Sequence, residues 1–187
     1  MSYIDRKHRI ALLVHAMLGL SAIGLSGAAH AQTVGGGPMT APCVQSTPSF
    51  GNFACGSNSA AGDFSSTAVG INAMAVGFGG NSAFGASSTA GSGAANQFGA
   101  SAFGTFSNAN NTQTSAFGYQ STATGFSSSA FGANSTASGS FSIAVGFQSQ
   151  ATQTGAIAVG ANAQATGINA TAIGNGATAT GSTAPKR

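Results

Sequence analysis

Residues 115–125 read SAFGYQSTATG and residues 129–139 read SAFGANSTASG, the same phrase repeated at a distance of fourteen residues. From Ser101 the chain sets out in such blocks without a gap: SAFGTFSNANNTQT, SAFGYQSTATGFSS, SAFGANSTASGSFS, IAVGFQSQATQTGA, IAVGANAQATGINA and TAIGNGATATGSTA, ending at Ala184. Glycine recurs at every seventh residue, at 104, 118, 125, 132, 139, 146, 160, 167, 174 and 181, with Asn111 and Gln153 as exceptions. Upstream the register is looser. FACGSNSAAGDFSS starts at Phe53, TAVGINAMAVGFGGN carries one extra residue, SAFGASSTAGSGAA fits, and residues 96–100 read as a short insertion. Repeats therefore occupy 53–184.

A short fixed period signals a solenoid, in which each repeat must stack on its neighbours to bury anything. The half-period of seven suits a strand of about five residues plus a two-residue turn, with glycine supplying positive φ or close approach. Helix is disfavoured by the density of Gly, Ser and Thr, and no amphipathic i, i+3, i+4 spacing follows residue 31. A disordered glycine-rich chain is the alternative that composition alone permits, but disorder needs no strict register. The fold class read from the repeat is all-β, a parallel β-roll of 14-residue coils.

The columns of the repeat predict where side chains point. Alanine stands at 102, 116, 130, 144, 158 and 172, and seven residues later at 109, 123, 137, 151, 165 and 179. Columns this small imply a thin, alanine-filled interior. The next position differs between the halves: Phe103, Phe117, Phe131, Val145, Val159 and Ile173 in one, Asn110, Thr124, Ser138, Thr152, Thr166 and Thr180 in the other. Neighbours in a strand face opposite ways, so one side of the roll should carry an apolar stripe and the other hydroxyls and amides. Six such side chains are worth on the order of 9–18 kcal/mol if fully buried, an upper bound that ignores entropy. The stripe should therefore meet another chain or a ligand. In the alternative orientation the stripe faces inward and the alanines outward.

Residues 1–31 read as an export signal, with Arg6, Lys7 and Arg9 before an apolar run from Ile10 to Leu25 and a small-x-small site at Ala29-His30-Ala31. Cleavage falls between Ala31 and Gln32. An uncut anchor is the weaker reading, because the run is short of the roughly 20 residues of a membrane span and His15 interrupts it. The mature chain is expected to have no membrane span. Residues 32–52, with Pro38, Pro42, Pro48 and Gly35-Gly36-Gly37, read as a linker or N-terminal cap, and 185–187 as a tail.

Beyond the signal the only charged residues are Asp63, Lys186 and Arg187, a net charge of two minus one, or +1. No basic patch follows a phosphate backbone, so nucleic acid is not an expected partner. With no His or Glu after residue 31, the chain has no acid–base pair for catalysis and no cage for calcium or zinc. We expect no enzyme activity, no cofactor and no metal. Cys43 and Cys55 would meet an oxidising compartment after export, where they form either a disulfide or two separately buried thiols. The G-x-G-x-x-A string from Gly174 lies inside the repeat register with no following helix, so it is not a dinucleotide loop. Phe106, Tyr119, Phe126, Phe141 and Phe147 serve equally well as packing or as partner contacts.

The pattern of A-[VIF]-G followed seven residues later by A-x-G closely resembles the head repeats of trimeric autotransporter adhesins of the YadA type. Ala116-Phe117-Gly118, Ala130-Phe131-Gly132, Ala144-Val145-Gly146, Ala158-Val159-Gly160 and Ala172-Ile173-Gly174 carry the resemblance. It implies a left-handed parallel β-roll and a homotrimer, displayed on the cell surface or released outside the cell. The head would bind an extracellular matrix protein or a cell-surface ligand. Phe103, Phe117, Phe131, Val145, Val159 and Ile173 would then be trimer-interface residues, since closed symmetry buries three stripes against one another. Attachment, autoaggregation or biofilm is the expected function. These residues show no neck motif, heptad stalk or alternating segments of a membrane barrel, which leaves three expectations: a truncated gene product, a secreted head without an anchor, or a subunit displayed by a partner. Two further readings differ in class: a structural spacer or self-assembling fibre, and an ice-binding solenoid using rows such as Thr122-Ala123-Thr124 and Thr178-Ala179-Thr180, a pattern that Gln150 and Gln164 interrupt.

Overall fold

The computed structural model describes residues 29–30, 43–45, 51–62, 64–92 and 97–182. Most of the segment read as an export signal, the expected cleavage site between Ala31 and Gln32, most of the proline-rich segment and the expected tail lie outside the described residues.

The chain winds as a parallel β-solenoid of about nine turns, with about fourteen residues per turn. Each coil pairs a three-residue strand such as Ser115–Phe117 with a two-residue strand such as Thr122–Ala123. Like strands stack into two ten-stranded sheets, one on each side of the coil. The register is one block: Ser115 opposes Ser129, Ala116 opposes Ala130 and Phe117 opposes Phe131. On the second sheet Thr122 opposes Thr136 and Ala123 opposes Ala137.

The strands are shorter than the five residues expected, because the corners also belong to the ladder. At one corner the Gly118 N–H donates to the Phe103 carbonyl at 2.8 Å and the Gln120 N–H to Thr105 at 3.0 Å. The direction change is made two residues beyond the glycine, by a residue with left-handed φ: Gln120 at 54°, Asn134 at 57° and Asn162 at 57°. Asparagine tolerates that conformation better than most side chains do, and the inter-coil hydrogen bonds hold the less suited Gln120, Phe106 and Phe141 in it. Glycine itself is required by close approach, for which Gly132 is the clearest case. It has φ of 130°, and a Cβ there would lie 2.5 Å from the Gly146 carbonyl oxygen of the next coil.

Alanine fills the interior, as the columns predict: Ala102, Ala116, Ala130, Ala144 and Ala158 are fully buried, and so are Ala109, Ala123, Ala137, Ala151 and Ala165. The orientation with alanine outward is therefore excluded. The interior also contains two columns that the sequence reading passed over. Ser107, Ser121, Ser135 and Ser149 are buried at the first corner, and Thr114, Ser128 and Ser142 at the second. At the first corner each hydroxyl donates back to the carbonyl of the glycine three residues earlier, at 3.0 Å for Ser121 to Gly118 and 2.8 Å for Ser135 to Gly132. The same carbonyl accepts the serine N–H, so the side chain closes the corner a second time. Burying the hydroxyl is tolerable because it is hydrogen-bonded.

Ser142 is the exception, since its buried hydroxyl has no protein partner. Ala156 and Ala170 occupy the same column one and two blocks on. Replacing Ser142 by alanine removes an unpaired polar group and should stabilise the fold by about 1 kcal/mol. A rise in the denaturant midpoint at constant m-value would register it, and a fall would mean that the hydroxyl has a partner in solution.

The register also relocates the insertion read over 96–100. Ala100 is a fully buried core residue, and Gly99 has the left-handed φ of a corner, 69°. Both hold repeat positions, directly before the strand Ser101–Phe103 that pairs with Ser82–Phe84. The extra residues lie upstream of Phe98.

One end of the stack is closed. Cys43–Gln45 runs antiparallel to Phe53–Cys55, and Cys43 and Cys55 sit directly opposite one another, joined by a disulfide. Ala29–His30 runs antiparallel to Ala60–Ala61 on the other sheet. Cleavage before Gln32 would remove this last pairing and keep the disulfide-linked one. At the far end Thr171–Ile173 and Thr178–Ala179 are the outermost described strands, and Ile173 is 70% exposed.

Candidate interaction surface

With Ala116 directed inward, its strand neighbours on both sides must point out. The three-residue strands thus carry two outer columns. One is the apolar stripe of Phe103, Phe117, Phe131, Val145, Val159 and Ile173, continued upstream by Phe84 and Val69. The Phe84, Phe103, Phe117 and Phe131 rings lie nearly parallel, with centroids 4.7, 4.7 and 5.1 Å apart. The ladder spacing forces this stacking, since equivalent residues repeat at about 4.8 Å. Each ring covers its neighbours' faces and leaves its edge to solvent, so most of the stripe is half-buried in a single chain while Phe131 is 39% exposed.

The second outer column lies two residues before the first. It starts polar, with Ser101, Ser115 and Ser129, and becomes apolar at Ile143 and Ile157. In these two coils Ile143 and Ile157 stand beside Val145 and Val159, widening the stripe where the rings give way to smaller side chains. The residue after each alanine marks only one of the two outward columns, so the stripe predicted from sequence does not include this one. The alternation of the strand was sufficient to find it.

The opposite sheet is polar outside from Thr89 onward, beyond the exposed Met74 in the same row. Asn108, Thr122, Thr136, Gln150, Gln164 and Thr178 form one outward row, and Asn110, Thr124, Ser138, Thr152, Thr166 and Thr180 follow it beyond the inward alanines. A shallow open groove of about 470 Å³ lies along Asn134, Gln148, Gln150, Asn162 and Gln164. The corner ridges carry exposed aromatics, some in edge-to-face pairs, with Phe106 and Tyr119 at 6.3 Å and Phe126 and Phe141 at 5.5 Å.

Among the described residues no three His, Cys, Asp or Glu side chains come together. No described helix is long and apolar enough to cross a membrane.

A regular stack of alanine-filled coils with one apolar sheet face, one polar sheet face and two aromatic corner ridges defines a repeat-built β-solenoid domain. Residues 95–121, 123–149, 137–163 and 165–184 match the YadA head domain repeat. The chain carries YadA head domain repeats in a β-solenoid, which implies a trimeric autotransporter adhesin head. Heads of this family are typically trimeric and generally non-catalytic, and the family implies a surface adhesin anchored in the outer membrane. No curated protein matches the chain.

Proposed function

We propose that this chain is the exported, non-catalytic head of an adhesin that attaches cells to matrix, to host cells or to one another. Three copies would pack through Phe103, Phe117, Phe131, Val145, Val159 and Ile173, with Ile143 and Ile157 joining them, in the left-handed roll that the family resemblance implies. Residues 1–31 would direct export, with cleavage between Ala31 and Gln32. The observation that supports this reading best is the unbroken apolar column on one sheet, whose outward edges remain in solvent in a single chain. A monomer would expose this column, whereas a threefold arrangement covers all three copies at once. The polar sheet and the corner ridges would then stay free for a ligand, with weak contacts strengthened by copy number.

The fibre reading is less well supported, because the antiparallel strand Cys43–Gln45 already covers one sheet edge at one end of the stack. Sedimentation of the exported chain tests the proposal. A folded β protein with three times the chain mass is expected, and an ordered monomer would overturn the assignment of the stripe.

A further inference from the structure

The groove on the polar side has an unusual chemical make-up, and we infer that it is a binding site for uncharged saccharides. It is lined by five side-chain amides, Asn134, Gln148, Gln150, Asn162 and Gln164. They come from two columns that the fold brings side by side. Asn134, Gln148 and Asn162 are the left-handed corner residues of three consecutive coils, with φ of 57°, 55° and 57°. Gln150 and Gln164 are register partners on adjacent strands, and they point outward because Ala151 and Ala165 point in. In that strand column the neighbouring coils carry Thr136 and Thr178, so the long amides are concentrated at one height of the stack.

Each amide offers a carbonyl acceptor and two N–H donors on one rigid plane. Such a group pairs with a hydroxyl, or with two adjacent hydroxyls, as both donor and acceptor. A row of them matches a ligand rich in hydroxyls. No charged side chain lines the groove, so nothing in it selects an anion or a cation. The corner that supplies Gln148 also supplies Phe147, whose ring is about half exposed. Phe106 and Tyr119, in the corresponding corners of earlier coils, spend their ring surface on each other, whereas Phe147 takes part in none of the ring pairs among the described residues. Its coil neighbours at the same position are Ala133 and Ala161, too small to cover it. Phe147 is not one of the lining residues, but a half-exposed ring one residue along the chain from Gln148 would supply a surface for the C–H face of a sugar whose hydroxyls the amides hold. The groove lies beside the sheet opposite the apolar stripe, so packing through the stripe leaves it accessible.

The inference rests on the adhesin-head reading and names the ligand class for it, yet it can fail separately. The intact exported chain would be applied to surfaces bearing dense galactose-, glucose- and N-acetylglucosamine-terminated oligosaccharides, with sialylated and sulfated counterparts alongside. Two variants use residues that the repeat itself places in the same columns, so each should keep its coils: Gln150→Thr with Gln164→Thr, and Phe147→Ala. We expect retention on one or more neutral sugars that persists in high salt, falls at least tenfold in the double variant and falls several-fold in Phe147→Ala, with circular dichroism and mass unchanged. No retention on any neutral sugar would overturn the inference. So would salt-sensitive binding confined to the charged sugars, or neutral-sugar binding that both variants keep. A monomeric mass with intact sugar binding would instead overturn the trimer and leave the groove standing.

Discussion

Replacing Gly132 by alanine should unfold the middle of the stack. A Cβ there would lie 2.5 Å from the Gly146 carbonyl oxygen and 2.7 Å from its carbon, and φ of 130° is strained for any L side chain. The obstacle is backbone held in a ladder on both sides, so it cannot swing away as a flexible side chain would. A loss of more than about 4 kcal/mol is expected, in the range kept for defects of this kind. Because a solenoid is stabilised by nearest-neighbour interfaces, the break should show first as rapid amide exchange over residues 118–146 and then as a lowered melting temperature for the whole head. Gly181, at the same seven-residue register, is the control. Nothing lies within 4 Å of its would-be Cβ and its φ is not in the left-handed range, so Gly181→Ala should change stability by no more than about 0.5 kcal/mol. Equal losses at both sites would refute the close-approach account.

The second large effect concerns assembly. Phe117→Asp puts a carboxylate in the centre of the stripe, and in a threefold packing three such charges would converge near the axis. An unpaired buried charge costs about 3–5 kcal/mol, and there would be one per chain. The mass in sedimentation should fall from three chains to one. The β signal should persist, since Phe117 points away from the alanine interior and no coil needs it to close. Thr122→Asp, on the opposite sheet, should leave the mass unchanged. If Phe117→Asp remained trimeric, the stripe would not be the interface.

Much of this architecture is legible in the sequence because the repeat samples each structural position many times over. A single alanine says little about burial, but the run from Ala102 to Ala172 in one column identifies an interior too narrow for anything larger. The outward stripe followed from strand alternation alone. Apart from the second outer column, what escaped depends on the path between strands. The buried serine columns carry no sequence signal of their own, because hydroxyls such as those of Ser121 and Ser135 are hidden only once the corner carbonyls that accept from them are in place. The left-handed corner residues vary among Asn, Gln, Ser and Phe, so no composition signal marks them. The insertion was misplaced because Ala100 does not follow the alanine columns used to align the blocks. The amide groove escaped for a related reason. Its members are scattered over residues 134–164 in two unrelated columns, and only the coil geometry makes neighbours of a corner and a strand.

The ladders described above join each residue to its counterpart one block away, with no bond reaching further along the stack within 115–173. Adding or removing a whole block would alter the height of the head, by about 4.8 Å, and nothing about how a coil closes. Blocks as alike as those starting at Ser115 and Ser129 are natural partners for unequal recombination. The height of such a stack is therefore a heritable trait adjustable in even steps, without passing through a misfolded ancestor.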